Sequence, residues 1–257
     1  MSPLLEASGV TKNFSGITAL DDAGLEVFEG ERVGLIGPNG AGKTTLFNCM
    51  LGVTSLNGGF VKFGGVDLAG LPVHKRCRLG IGRTFQRIEL FTDSTVRDHL
   101  LIAERVRLGS GGFWRDIIGL GRPTKAEIAA CDAMLELLGL ADLAEEPIEA
   151  LSLGKGRLVE VGRALMTRPR LLMLDEPSSG LDREETAALA TTLRAVQKEQ
   201  GFAILLVEHD VELVSNFTER CYVLEFGRMI ASGTTAEVMT NPRVREAYLG
   251  QPSEGGR

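Results

Sequence analysis

Short apolar runs alternate with segments of helical periodicity along most of the chain, which is the pattern of a parallel sheet covered by helices. The clearest apolar runs are residues 32–36, 171–174 and 203–207. After each run, apolar residues return every three or four positions, so helices are expected at 45–51, 183–199 and 211–216. The pattern predicts an α/β fold with a mainly parallel sheet.

The N-terminal part of the chain has a second pattern. Residues 4–10 and 23–28 are typical of strands joined by a turn at 12–16, and the alternation at 60–63 is typical of an edge strand. A glycine turn then leads to another short strand at 66–68. Because strands joined by such short turns pair antiparallel, an antiparallel β subdomain is expected beside the parallel sheet.

A largely helical stretch, residues 87–160, lies between two strand-bearing parts of the chain. Its clearest periodic segments are 95–106 and 125–138. This order predicts one domain over 4–250 with a helical subdomain inserted into an α/β core. The predicted division is a core of 4–86 and 160–250, a helical subdomain of about 87–159, and a flexible tail of 251–257.

A glycine-rich segment joins the first apolar run to the following helix. It fits the spacing G-x-x-x-x-G-K-[ST] of a phosphate-binding loop, whose glycines let backbone N–H groups face an anion at a helix N-terminus. Lys43 adds a full positive charge, and the Thr44 hydroxyl is a ligand for Mg²⁺. A glycine-rich turn without a ligand is the alternative interpretation. The predicted nucleotide-binding residues are Gly37, Asn39, Gly40, Ala41, Gly42, Lys43, Thr44 and Thr45.

Two adjacent carboxylates, Asp175 and Glu176, follow the apolar run 171–174. In open α/β folds ligands bind at the carboxyl ends of the strands, where such a run delivers these side chains. Asp175 is expected to face a metal ion, and Glu176 to orient or deprotonate a water molecule. A solvated turn with a helix cap is the alternative, and the phosphate loop makes it the weaker one.

Five further residues are ambiguous when each is taken alone. Phe14 lies upstream of the phosphate loop, where it is either a ring that stacks on a base or a core aromatic at a strand end. Gln86 and His209 each follow a strand-like segment, a position that ordinary surface residues also occupy. Ser152 and Gly154 precede a helix expected from 157, where they either present donors to an anion or simply begin the helix.

Composition and charge narrow the class of protein. The net charge of −6 argues weakly against general binding to nucleic acid, and the apolar stretches are too short to cross a bilayer. The four cysteines and three histidines are scattered, without the spacing of a zinc site or a disulfide framework. No secretory signal is visible at the start, so a soluble intracellular protein is expected.

Taken in order, these segments resemble the ATP-binding subunit of ABC transporters, over nearly the whole chain. The matching segments are the loop at 37–45, Gln86, residues 151–155, Asp175-Glu176, residues 178–182 and His209. The resemblance implies an ABC-type P-loop ATPase that uses ATP and Mg²⁺ and produces ADP and phosphate.

The same resemblance implies a role for each ambiguous residue. Phe14 would stack on adenine, and Gln86 would reach Mg²⁺ and sense a transmembrane partner. Glu176 would be the catalytic carboxylate, with Asp175 on the metal. His209 would contact the γ-phosphate.

The family works as a head-to-tail dimer, with each ATP held between one protomer's phosphate loop and the other's signature, here Ser152 and Gly154. Residues 178–182 would communicate across that dimer. The implied partners are a second ABC ATPase, either a different chain or a second copy, integral-membrane permease subunits and an external solute-binding protein, with no nucleic acid. The implied location is cytoplasmic, on the inner face of the cell membrane.

Three segments are similar to the ATPases of branched-chain amino acid importers: residues 85–91, an insertion at 109–123, and the ending 241–250. Importers of urea or amides and the lipopolysaccharide exporter remain alternatives. A soluble ABC-type ATPase that acts on nucleic acid or ribosomes is disfavoured, because the chain shows neither a coiled-coil insertion nor a basic tail.

The signature departs from the family pattern at Lys155, where Gln is usual, and at Gly156, where another polar residue is usual. We hypothesise that Lys155 weakens this signature, and with it the hold on the ATP bound by the partner's phosphate loop.

Overall fold

The computed structural model describes residues 2–84, 94–108 and 123–249. Its strands are β1 Leu5–Phe14, β2 Ile17–Val27, β3 Arg32–Ile36, β4 Gly58–Phe63, β5 Val66–Asp67, β6 Ile81–Arg83, β7 Leu171–Asp175, β8 Ala203–Val207, β9 Arg220–Glu225 and β10 Arg228–Thr234. Its α-helices are α1 Lys43–Leu51, α2 Val73–Arg78, α3 Val96–Leu108, α4 Lys125–Leu137, α5 Leu153–Met166, α6 Arg183–Gln200, α7 Val211–Phe217, α8 Thr235–Thr240 and α9 Pro242–Leu249. Short 3₁₀ helices lie at Ala141–Leu143 and Ile148–Ala150.

The larger sheet has the strand order β10-β9-β3-β8-β7-β6. All neighbouring strands are parallel except β9 and β10, so the predicted α/β fold with a mainly parallel sheet is confirmed. Parallel pairing brings the carboxyl ends of β3, β8 and β7 to one edge. Asp175, the last residue of β7, lies opposite Val207, the last residue of β8.

Both faces of this sheet are buried, which explains the unbroken apolar runs. On β7, Leu171 and Met173 pack into a core shared with α1 and the second sheet, whereas Leu172 and Leu174 pack into a core shared with α3 to α6. Alternate residues of a strand point to opposite faces. Two cores therefore hold one sheet rigid between them.

The second sheet is antiparallel, with the order β2-β1-β4-β5, as predicted. Its first two strands are longer than expected, because the turn between them is only Ser15 and Gly16, both at positive φ. Register shifts in β1, including one between Ala7 and Val10, let it continue to Phe14, into the predicted turn. The prediction that residues 60–63 form an edge strand was wrong, since β4 pairs with β1 and β5.

Arg76, in α2, joins the segment between β5 and α2 to the C-terminal end of α1. Its buried guanidinium donates to the carbonyl oxygens of Cys49 (3.2 Å) and Met50 (2.7 Å) in the last turn of α1. It also donates to those of Leu68 (2.8 Å) and Leu71 (2.9 Å). Four backbone acceptors thus replace the water that this cation loses on burial.

The helical part packs α3 against α4 and α5. Helix α4 begins at a capping box in which Thr124 and Glu127 each accept the other's backbone N–H. Helix α5 begins at Leu153, earlier than the expected 157, because the Ser152 side chain caps it despite the glycines of its first turns. The boundary predicted at 159/160 therefore lies inside α5. The division into subdomains stays a prediction.

Candidate functional site

The phosphate loop connects β3 to α1 at the carboxyl edge of the larger sheet. Gly37, Gly40 and Gly42 have φ values of 155°, 78° and 105°, which residues with a side chain rarely adopt. A Cβ on Gly37 would lie 2.1 Å from the carbonyl oxygen of Leu224 in β9, so only glycine fits there. Among the other predicted loop residues, Asn39, Gly40 and Thr44 are exposed, Thr45 is half-buried, and Ala41 is buried.

Lys43 is the first residue of α1 and lies inside this loop, 5% exposed. Its ammonium donates to the carbonyl oxygens of Gly37 (2.7 Å) and Pro38 (3.1 Å). Burial lowers the pKa of Lys43, and the nearby carboxylates of Glu176 and Asp175 oppose that shift. The side chain is thus held with its charge directed into the loop and towards the acidic residues.

Asp175 ends β7, is 7% exposed, and its Oδ1 has no hydrogen-bond partner in the described ranges. Burial, together with the neighbouring Glu176 carboxylate, raises its pKa to about 6. An orphaned, buried carboxylate oxygen is costly unless a cation completes it. This atom fits Mg²⁺, which is usually held by one or two carboxylates together with substrate phosphates and water.

Glu176 follows β7 with a φ of 46°, a left-handed conformation that is rare outside glycine. Its backbone N–H donates to the carbonyl oxygen of Val207 (2.9 Å), which extends the ladder between β7 and β8 by one residue. His209 follows β8 and is half-exposed, and its Nδ1 lies 3.8 Å from Oε2 of Glu176. The two residues that the resemblance implies for catalysis therefore lie together.

Glu208 was missed in the sequence, although it stands between the apolar strand β8 and His209. It is fully buried, and it accepts hydrogen bonds from Ser178 and from the backbone of His209. The signal in the sequence was the position of Glu208. It directly follows the apolar strand β8, just as Glu176 directly follows the adjacent strand β7. An acidic residue at this position lies close to Asp175 at the end of the adjacent strand.

Phe14 ends β1 and is 47% exposed, so it is not the core aromatic of the alternative interpretation. The Lys12 ammonium lies 4.9 Å from the centre of its ring. Strand β2, which pairs with β1, passes the phosphate loop so closely that a Cβ on Gly42 would be 2.7 Å from the carbonyl oxygen of Ala19. The exposed ring of Phe14 therefore lies on the sheet that borders the phosphate loop.

Ser152 and Gly154 lie at the start of α5. The Ser152 hydroxyl accepts the backbone N–H of Lys155 (3.4 Å), and the Gly154 N–H donates to Oε1 of Glu185 (3.3 Å) at the start of α6. In the described part of the chain, no hydrogen bond joins these residues to the loop at 37–45. The structure does not place the signature with its own phosphate loop.

Gln86 lies outside the described residues, as do the whole segment 85–91, residues 109–122 and the tail from 250. Within 2–84, 94–108 and 123–249, no helix combines the length and apolar character needed to span a bilayer.

Comparisons with known proteins agree with this geometry. The family model described as ABC transporter matches residues 20–179, and the one described as branched-chain amino acid ATP-binding cassette transporter matches 228–253. The chain is 38% identical to the high-affinity branched-chain amino acid transport ATP-binding protein BraF of Pseudomonas aeruginosa, covering 97% of this chain and 98% of that protein. It is 39% identical to LivG of Salmonella typhimurium, a protein with the same description, with equal coverage.

A solved structure of an ATP-binding cassette in its ADP conformation superposes with a TM-score of 0.85 at 29% identity, covering 98% of this chain and 100% of that one. The chain therefore belongs to the ABC transporter family. It is an ATP-binding subunit of such a transporter, homologous to the ATP-binding proteins of branched-chain amino acid transport.

Proposed function

We propose that this subunit hydrolyses ATP with Mg²⁺ in a head-to-tail dimer and thereby drives import of branched-chain amino acids through separate membrane subunits. The observation that carries the proposal is the partnerless buried Oδ1 of Asp175 at the edge where Lys43, Glu176 and His209 meet. A cation is the missing partner of that oxygen. Phosphate oxygens are the natural ligands of both that cation and Lys43.

In this proposal Asp175, Thr44 and Gln86 would hold Mg²⁺, which would supply positive charge to stabilise the phosphate groups of ATP. Lys43 binds the β- and γ-phosphate oxygens, and Phe14 stacks on adenine. Glu176 orients the attacking water and accepts its proton as the bond from the γ-phosphorus to the bridging oxygen breaks.

His209, next to Glu176, donates a hydrogen bond to the γ-phosphate. Phosphoryl transfer depends mainly on such positioning and charge stabilisation, because the protein forms no covalent bond to the phosphate.

The signature supports the dimer. Ser152 and Gly154 have no hydrogen bond to their own loop, so they are available to act on ATP held by the loop of a second ATPase. That partner is a different chain of the same type, with a second copy of this chain as the alternative. On binding, a γ-phosphate oxygen would replace Glu185 as the acceptor of the Gly154 N–H.

A groove between α2, β6, α3 and α5 supports docking of a membrane subunit. It has a volume of about 280 Å³ and a mainly apolar lining that includes Ile102 and Val106. Both side chains are exposed, Val106 at 71%. The groove includes Thr84, which is two residues before Gln86 in the chain. The subunit would then lie on the cytoplasmic face, with an external solute-binding protein delivering the cargo.

The catalytic assignment is tested with Glu176→Gln, and the exposed helical residue Glu199 provides the control Glu199→Gln. We expect the first variant to bind ATP, to accumulate as a closed dimer in size-exclusion chromatography and to lose turnover, while the control behaves like the wild type. Full turnover in Glu176→Gln would show that another group activates the water.

Docking is tested with Ile102→Glu and Val106→Glu, with the exposed Val53→Glu as a control outside the groove. The groove variants should no longer co-purify with integral-membrane proteins, while their ATPase activity without those proteins is retained. Co-purification at the wild-type level would refute docking there.

Transport is tested by uptake of labelled leucine and labelled urea in cells that carry or lack the gene. Loss of leucine uptake alone is expected, and loss of urea uptake alone would favour the amide alternative. The division into core, helical subdomain and tail remains part of the proposal.

A further inference from the structure

The fully buried carboxylate of Glu208 joins two loops of the site. Its Oε1 accepts the backbone N–H of Ser178 (3.0 Å) and the Ser178 hydroxyl (2.7 Å). Its Oε2 accepts the backbone N–H of His209 (3.2 Å). Each oxygen of the carboxylate therefore serves a different loop, one after β7 and the other after β8.

The backbone of Glu208 is fixed independently of its side chain. Its N–H donates to the carbonyl oxygen of Leu35 (3.3 Å) in β3, two residues before the phosphate loop. The backbone that carries the carboxylate is thus held to the strand that leads into this loop. The three hydrogen bonds to this carboxylate therefore connect both loops to one fixed position.

The two loops carry the proposed catalytic pair. Ser178 is two residues from Glu176, and His209 is adjacent to Glu208 itself. Since Glu176 has a left-handed backbone, the chain on either side of it must be fixed to hold that conformation. The hydrogen bond from the Glu176 N–H to the Val207 carbonyl oxygen fixes one side, and the hydrogen bonds from Ser178 to Glu208 fix the other.

We propose that Glu208 is a positioning residue that sets the placement of Glu176 relative to His209, an inference that rests on the proposed function of those two residues. Glu208 acts through its two loops and has no direct contact with nucleotide. Through Ser178 it also fixes the start of the segment 178–182, which is proposed to communicate with the second ATPase.

The test exploits the difference between a carboxylate and an amide. Glu208→Gln keeps the shape of the side chain but has only one acceptor oxygen. That oxygen can accept from Ser178 or from His209, and the NH₂ group then faces the backbone N–H of the other residue. Because a small misplacement of catalytic groups is costly, we expect kcat to fall at least about tenfold, with KM for ATP within about twofold of the wild type.

The matched control is Glu127→Gln in the helical part. Glu127 is also buried and also uses both oxygens, accepting from the backbone N–H of Thr124 and from Arg105. It lies outside the site, so its variant should keep kcat while losing a similar amount of thermal stability. Ser178→Ala, which removes only the hydroxyl bond, is the milder second variant if Glu208→Gln does not fold. It should lower kcat by about threefold, again without raising KM.

The outcomes separate this inference from the proposed function. If Glu208→Gln and Ser178→Ala keep kcat within about twofold per folded molecule while Glu176→Gln is inactive, Glu208 has no positioning role and the proposed function stands. A loss of kcat equal to that of Glu127→Gln also overturns the inference, because it would reflect stability alone. Full turnover in Glu176→Gln would instead refute the proposed function.

Discussion

Asp175 offers a quantitative test of the electrostatics of the site. Its carboxyl is buried next to Glu176 and Glu208, and although Arg83 and Lys43 partly offset these effects, its pKa is raised from 3.8 to about 6. A raised pKa means that the folded protein holds this proton more tightly than the unfolded chain does. The contribution to stability is therefore fully present below about pH 3.8 and is lost as the pH rises through about 6.

The magnitude follows from those two values. Each pKa unit corresponds to about 1.4 kcal/mol, so ionised Asp175 reduces the free energy of unfolding by about 3 kcal/mol at pH 8 and by about 1.6 kcal/mol at pH 5. Asp175→Asn removes the charge and keeps the shape. In the absence of Mg²⁺ we expect the variant to gain stability relative to the wild type, and the gain to be about 1.4 kcal/mol larger at pH 8 than at pH 5.

The assay is urea unfolding in EDTA at both pH values, with Asp142→Asn as the control because Asp142 is an exposed aspartate on a 3₁₀ helix. The control should follow the wild type at both pH values. If the difference between Asp175→Asn and the wild type is independent of pH, or is larger at pH 5, Asp175 is not held in a desolvated, acidic environment. Asp175 would then need no cation to compensate its charge.

Three further predictions concern other contacts. Arg76→Met should lower the free energy of unfolding by about 3 kcal/mol or more, because four hydrogen bonds to backbone carbonyl oxygens are lost, and urea unfolding with an unchanged midpoint would refute the tie to α1. Gly37→Ala should abolish binding of a fluorescent ATP analogue because its Cβ would meet the Leu224 carbonyl, whereas Gly65→Ala, with open space around it, should bind normally. Lys155→Gln should raise the turnover of the assembled dimer, since a cation at a helix N-terminus opposes the helix dipole, and unchanged turnover and ATP affinity would dismiss the weakened signature.

The strand pattern of the larger sheet could be predicted because each strand is buried on both faces and therefore apolar throughout. The ends of β1 and β2 could not, because residues 12–14, predicted as part of the turn, continue β1 through register shifts and leave a turn of two residues. The start of α5 was obscured for another reason, since Gly154 and Gly156 disfavour a helix that the Ser152 cap and tertiary packing stabilise.

For the site, local spacing was sufficient to predict the phosphate loop and the acidic pair. His209 needed the resemblance, because a histidine after a strand has no distinctive pattern. Glu208 escaped because its importance depends on a contact with Ser178, thirty residues away in the chain. No periodicity in the sequence encodes such a contact.

The left-handed backbone of Glu176 has a consequence for how this chain would change if selection for hydrolysis were relaxed. That conformation costs a residue with a side chain about 1 kcal/mol or more, and glycine adopts it without the cost. Glu176→Gly would therefore give an inactive chain whose loop after β7 is less strained. In a copy of the gene that is no longer selected for hydrolysis, glycine at 176 would stabilise the fold and end the proposed catalysis. The functional subunit therefore keeps its glutamate although this residue lowers its stability.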